Sequence, residues 1–221
     1  MRQIDHFGLW NEQPIVVIDT ETTGFVATQG DKMVQLAAVR VERGAVTARW
    51  NTLLNPERPI PSEASQIHGV WDHDVYDAPR FCDVVLSFIM FVDGCVPCAY
   101  GQLFDRGFLR AELFDLGLAD IDVPIVQWPN WIDPLVWVRS LDRFVAGSEG
   151  NSLVHACKRR GIEIANAHSA PEDAEATAKL LMLLAPEIGL CTASELIRRQ
   201  PYLNDAHRRR REAARAQGRP C

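Results

Sequence analysis

Asp19 and Glu21 stand two residues apart in Ile15-Val-Val-Ile-Asp19-Thr-Glu21-Thr-Thr-Gly24, directly after a wholly apolar run. A strand repeats every two residues, so both carboxylates point to one face. Side by side they repel unless a positive charge lies between them, which suits a divalent cation. A strand end flaring into solvent would carry the same pair. Asp105, in Ala99-Tyr-Gly-Gln-Leu-Phe-Asp105-Arg-Gly-Phe-Leu109, opens a helix, where capping is the ordinary use of an aspartate. In His168-Ser-Ala-Pro-Glu-Asp173 a histidine precedes a helix whose first turn holds an acid, so the two can face one mouth. An exposed loop histidine and an acid stabilised by the helix dipole are the plainer alternatives.

The elements that must position these groups follow from local pattern. Ile15-Val-Val-Ile18 reads as a strand buried on both faces. Val34–Glu42 and Val46–Leu54 form a hairpin about Arg43-Gly44, because Val46, Ala48 and Trp50 alternate with Thr47, Arg49 and Asn51. Ser62 has the chemistry of an N-cap for a helix reaching His68. Phe81, Val84, Val85, Phe88 and Ile89 fall at helical spacing within Pro79–Val92, and Val96–Tyr100 reads as a fourth strand. A helix runs through Phe108, Leu109, Leu113 and Leu116 to Gly117, and Ile121–Trp131, with two prolines, reads as a loop. Asp133-Pro134 is an N-cap followed by proline at the first helical position. Ser152–Arg160 and Pro171–Leu184 are helices, and Thr192-Ala-Ser-Glu195 is a capping box opening a last one. The expected class is α/β, a mixed sheet that begins as an antiparallel meander and is covered by helices on both sides.

Composition sets the bounds. The chain has 221 residues, 47% of them hydrophobic and 24% charged, values typical of a globular protein with a full core. The longest apolar runs fall far short of the ~20 residues that span a bilayer, so no membrane is expected. Met1–Pro14 has no apolar signal core, and the cytoplasm is the expected location. The six cysteines, at 82, 95, 98, 157, 191 and 221, are too irregular for a secreted framework. Cys95 and Cys98 lack the further ligands of a zinc site and read as core thiols. The net charge of −6 divides unevenly: His207–Cys221 holds six arginines and one glutamate, leaving −11 on residues 1–206. An acidic body argues against nucleic acid as a partner unless part of that charge is a metal site.

D-x-E after the first strand, F-D-x-x-F-L after a later one and H-x4-D at a late helix, in that order, resemble the DEDDh branch of the RNase T-like 3'-5' exonuclease superfamily. This family has the ribonuclease H-like fold and includes the proofreading subunit of bacterial DNA polymerase III. The likeness covers roughly residues 14–185. Gln66-Ile-His68-Gly69-Val70 resembles the family's I-H-G-I segment, and Trp131–Arg139 its "DT-L-LAR" helix. Tyr100-Gly-Gln-Leu-Phe-Asp105 departs from the common H-N-A-x-F-D, which removes any substrate contact through that histidine and asparagine. Asp115–Trp131, with Trp128 and Trp131, also fits the family poorly; a strand-binding wall and buried tryptophans are the two uses weighed.

The resemblance implies a mixed five-stranded sheet, with an N-terminal extension over 1–13, an exonuclease domain over 14–188, and a C-terminal helix and basic tail over 189–221. It further implies that Asp19, Glu21, Asp105 and Asp173 hold two Mg2+ or Mn2+ ions and that His168 is the general base. Thr22, Thr23, Gly24, Phe25, His68 and Phe104 are the implied substrate contacts. Gly24 would admit the substrate to close approach of the backbone, and Phe25 would stack on or wedge at the terminal base, with simple packing as its alternative. The implied reaction is metal-dependent 3'-5' hydrolysis of single-stranded nucleic acid, DNA favoured, releasing nucleoside 5'-monophosphates. An exoribonuclease and a non-catalytic nucleic-acid-binding relative are the alternatives, and a polymerase or a second copy of the chain is the implied partner. The tail from Ala206 to Arg219 reads as a basic helix gripping phosphates or as a disordered solubilising end.

Overall fold

The computed structural model describes residues 8–127, 131–142, 145 and 150–216. Strand β1 (Ile15–Thr22) lies between β2 (Met33–Glu42), which runs antiparallel to it, and β4 (Val96–Cys98), which runs parallel. β3 (Ala45–Leu53) completes the order β3-β2-β1-β4. The hairpin turn places both Arg43 and Gly44 in the left-handed region, at φ 52° and 78°, which matches the right-handed twist of the strands it joins. β3 alternates exposed and half-buried residues, as its sequence pattern requires.

The expected fifth strand is reduced to a single parallel bridge, Cys98 with Ile132. Ile132 donates to the Pro97 carbonyl at 2.9 Å and accepts from the Ala99 N–H at 3.1 Å. Asp133-Pro134 then starts a helix, and proline has no N–H with which to continue a ladder. β4 itself stops at Cys98, short of the expected Tyr100, because the chain turns through Gly101 at φ +77°.

The helices are α1 (Ser62–His68), α2 (Asp72–Val75), α3 (Phe81–Val92), α4 (Leu103–Asp115), α5 (Pro124–Gln127), α6 (Pro134–Leu141), α7 (Leu153–Arg159), α8 (Ala170–Ile188) and α9 (Ala193–Ala216). Three details depart from the sequence reading. Pro61, not Ser62, is the cap of α1, and the Ser62 hydroxyl turns to Glu63 at 3.2 Å. The segment read as a loop over Ile121–Trp131 contains α5, and α2 has no counterpart in the sequence reading. Asp133 and Thr192 cap as expected, Asp133 accepting from the Leu135 N–H at 3.0 Å and Thr192 exchanging bonds with Glu195.

The sheet has two apolar faces, built from alternate residues of β1. Ile15 and Val17, with Ala37, Val39, Val41 and Val96, pack under α6, α7, α8 and α9. Val16 and Ile18, with Leu36 and Ala38, pack against α3, α4 and the fully buried Trp131. Trp131 donates its indole N–H to the Ile125 carbonyl at 3.2 Å, the buried use weighed for the tryptophans; Trp128 lies outside the described residues. Cys95, Cys98, Cys157 and Cys191 are buried free thiols. Both ends join the core. Trp10 is fully buried and donates to the Gly189 carbonyl at 3.0 Å, and Leu196 and Ile197 of α9 share its cluster. Among the described residues, no helix is long and apolar enough to cross a membrane.

α9 is tied to α6 by one buried side chain. Gln200 accepts the Asp133 N–H at 2.7 Å and donates to the Trp131 carbonyl at 2.9 Å. The basic stretch from Ala206 continues this helix as far as Ala216, with Arg208 and Arg209 on Asp205 and Arg210 on the Arg139 carbonyl. Gln200→Leu keeps the volume and strands both backbone groups without a partner. We expect a loss of about 2–4 kcal/mol, seen as a lower urea midpoint at unchanged slope.

Candidate active site

β1 delivers its acids by register. Residues 15, 17, 19 and 21 share the face that packs under α8, so Asp19 and Glu21 emerge beneath that helix where the apolar run ends. Asp173, in the first turn of α8 and buried, meets them there. Ligand oxygens of Asp19, Glu21 and Asp173 all lie within 4.8 Å of one another.

Asp105 comes from the opposite layer, on α4. Beyond its last pairing with β4, at Val17, strand β1 has no partner on that side. There Asp105 Oδ1 accepts the Thr20 backbone N–H at 2.9 Å and the Thr20 hydroxyl at 2.8 Å. The fourth expected acid therefore stands beside the tight group of three and is fastened to the same strand, with its charge acting on Asp19 and Glu21. Its own position is set by Asp133, whose carboxylate accepts from the N–H groups of Gly101 at 2.9 Å and Gln102 at 3.3 Å, where α4 begins.

His168 is exposed on the loop before α8 and has φ +66°, unusual for a residue with a Cβ. Its backbone N–H donates to Asp173 Oδ2 at 3.2 Å, which holds histidine and acid at one mouth. Asp173 Oδ1 is buried with no hydrogen-bond partner. An unpartnered carboxylate oxygen facing two further acids fits a hard divalent cation, and the all-oxygen donor set suits Mg2+ or Mn2+.

The electrostatics agree. Burial, followed by the charges of Asp105, Asp173 and Glu21, pushes Asp19 well above the usual carboxylate range. Burial, then Asp173 and Asp105, pushes Glu21 up to about 8. Burial raises Asp105 to about 7, against the hydrogen bonds from Thr20, and burial also raises Asp173.

The expected substrate contacts divide. Phe25 is 79% exposed, and its ring meets Phe104 edge-on at 6.5 Å. Phe104 directly precedes Asp105 and leans on Phe108 at 5.0 Å. Thr22 and Thr23 are buried and their hydroxyls are engaged in the loop, Thr22 with the Gly24 carbonyl and Thr23 with the Lys32 N–H and Asp31. Gly24 makes room for a side chain of the protein: a Cβ there would lie 2.3 Å from the Asp31 carboxylate. Asp31 also accepts from the Val26 N–H at 3.0 Å and pairs with Arg58 at 3.3 Å, clamping the loop that presents Phe25. His68 is buried, and its Nδ1 accepts from the Val70 N–H at 3.1 Å, so the neutral ring carries its proton on Nε2. Burial lowers its pKa, and the Thr22 carbonyl nearby opposes that shift. Asp31 and Thr20 were missed from the sequence; a threonine between two acids was the only local signal for either.

The sequence profile of the Exonuclease (RNase_T) family matches residues 16–181. The chain belongs to this family. A DNA polymerase III subunit epsilon-like protein of Rhodobacter capsulatus is 36% identical over 178 residues, covering 78% of this chain and 24% of that protein. The DNA polymerase III subunit epsilon of Rickettsia conorii is 33% identical, covering 76% and 72% respectively. Among solved structures, exonuclease X in complex with 5'-overhanging duplex DNA superposes with a TM-score of 0.65 at 26% identity, over 84% of this chain and 99% of that one. The chain spans between about a fifth and a half of the length of the first curated relatives it matches. The exonuclease family is that of the motif resemblance, and its class, a nuclease of the hydrolase type, is the class expected. The fold is likewise the ribonuclease H-like one, with one strand fewer than expected.

The raised carboxylates make a signed prediction. In the ion-free fold they keep protons that the unfolded chain has released, so stability falls as pH rises from about 4 to about 8. A bound dication reverses this by favouring the charged form. Millimolar Mn2+ should therefore raise the melting temperature much more at pH 8 than at pH 5, measured by differential scanning calorimetry with EDTA as the reference.

Proposed function

We propose that the unit over 14–188 removes nucleotides one at a time from the 3' end of a single strand of nucleic acid, DNA favoured, releasing nucleoside 5'-monophosphates. The observation that carries this reading is the meeting of Asp19, Glu21 and Asp173 within 4.8 Å around a buried, unpartnered oxygen, with His168 tethered at the mouth. Asp19, Glu21, Asp105 and Asp173 would hold two Mg2+ or Mn2+ ions. Such ions, when bound, stabilise charge on the attacking and leaving oxygens of phosphodiester hydrolysis.

The rest is the work of this chain's own groups. The His168 imidazole, open to solvent, takes the proton of the attacking water. Water oxygen joins the terminal phosphorus, the bond to the penultimate 3' oxygen breaks, and that oxygen takes a proton from solvent to become the 3' hydroxyl of the shortened strand. Phe25 and Phe104 offer ring faces and edges to the terminal bases beside the acids. DNA is favoured because the solved neighbour holds DNA and the relatives are named as DNA polymerase III subunits, which also makes a polymerase the partner of choice.

The test is hydrolysis of 3'-labelled DNA and RNA oligonucleotides with Mg2+ or Mn2+. Asp19→Ala should abolish product while the circular dichroism spectrum is retained, and EDTA should do so reversibly. His168→Ala should slow the reaction by ~10^2 to 10^4. A strand blocked at its 3' hydroxyl should resist. Cleavage of a circular single strand, or a His168→Ala enzyme as fast as the parent from pH 6 to 9, would overturn the assignment.

A further inference from the structure

One face of α4 carries side chains that the fold leaves unused. Leu103, Gly107, Arg110 and Phe114 recur at intervals of four, three and four, so they form one stripe along the helix. All four are exposed, Leu103 and Phe114 at 71% each. Gly107 lies inside the helix with no positive φ, and a Cβ there would meet nothing within 4 Å. Neither packing nor backbone conformation demands glycine at this site, where alanine would make a better helix. Its effect is a notch in the outer surface. Arg110 has no acidic partner among the described residues, and Arg106, one turn earlier, has its Nε buried and unpartnered.

Gly107, Arg110 and Phe114 of the stripe line one wall of a groove of about 670 Å3, and Ala27, Thr28 and Gly30, in the turn after Phe25, line the other. Lys32 lines it too, paired with Glu112 and Asp115. The lining of the groove begins two residues after Phe25, at Ala27, and one helical turn after Phe104, at Gly107, and continues along α4 to Asp115. At 1.5 Å per residue, Gly107 to Phe114 spans about 10 Å, enough for a short stretch of strand beyond the terminal nucleotide.

We propose that this groove is the track for the nucleotides upstream of the scissile bond in a single strand, with bases on Phe114 and over the Gly107 notch and phosphates beside Arg110. The inference rests on the exonuclease reading and extends it. Exposed aromatic surface on Phe114 beside Arg110, which has no acidic partner among the described residues, matches a single strand, in which each base has a π-face and each linkage a negative charge.

The test compares kcat/KM for oligothymidylates of eight and two nucleotides. The parent should favour the longer strand by about tenfold or more, and Phe114→Ala and Arg110→Ala should each bring that ratio down about fivefold or more. Gly107→Leu fills the notch and should lower the ratio while raising the melting temperature, a combination that a purely structural glycine would not give. Retention of the parent ratio in all three variants overturns the track, as does an equal loss on both substrates. Altered self-association by sedimentation with an unchanged ratio assigns the face to a second copy and also overturns it. If the parent hydrolyses neither strand, the exonuclease reading falls, and fluorescence anisotropy of a labelled eight-nucleotide strand on parent and Phe114→Ala still decides the groove.

Discussion

Mutual repulsion among carboxylates at the end of β1 is the constraint around which the rest is arranged. Two full charges about 5 Å apart repel by about 3 kcal/mol at an effective dielectric of 20, and a domain of this kind has only about 5–15 kcal/mol to lose. Asp19, Glu21 and Asp173 lie within 4.8 Å, with Asp105 adding its charge from the side. The ion-free fold answers by keeping protons on them. A strand buried on both faces and paired on both sides supplies the rigidity to hold such a cluster, and Ile15–Val17, between β2 and β4, is that stretch.

The acids reach one point by two routes, and this explains their unequal geometry. Asp173 drops onto the β1 face from the helix that packs on it. Asp105 belongs to the other layer and passes the end of the short strand β4, where Thr20 offers an N–H and a hydroxyl to dock on. A longer β4 would occupy that N–H and exclude Asp105. The early turn at Gly101 is thus part of the site, and the Asp133 carboxylate fixes it. Gln200 then holds Asp133 from α9, so a helix beyond the family match at 16–181 supports the launch of a catalytic-type acid.

What the sequence made legible was local. Period two put Asp19 and Glu21 on one face, prolines and caps marked the starts of α6 and α9, and Arg43-Gly44 marked the hairpin. What escaped depends on contacts between distant residues. Gly24 signals a close approach, but nothing near it says that the Asp31 carboxylate is what approaches. His68 sits in a recognisable motif, but the motif does not reveal that the ring is buried with its Nδ1 taken by the Val70 N–H. The fifth strand shrank to one bridge because Pro134 follows so closely that helix wins over ladder, a competition that pattern alone does not decide.

The roles proposed for His168 and for the acids make opposite demands, and the backbone separates the two. A metal-type cluster works by being fixed in advance, so its members are buried in helix or strand and braced by hydrogen bonds. A general base must return its proton to solvent between turnovers, so it belongs on an exposed segment. The left-handed conformation at His168 costs about 1–3 kcal/mol for a residue with a side chain. It brings the backbone N–H onto Asp173 while the residue stays outside the first turn of α8. The acid that completes the cluster thereby also anchors the histidine proposed as base, so a disturbance of Asp173 is felt by both.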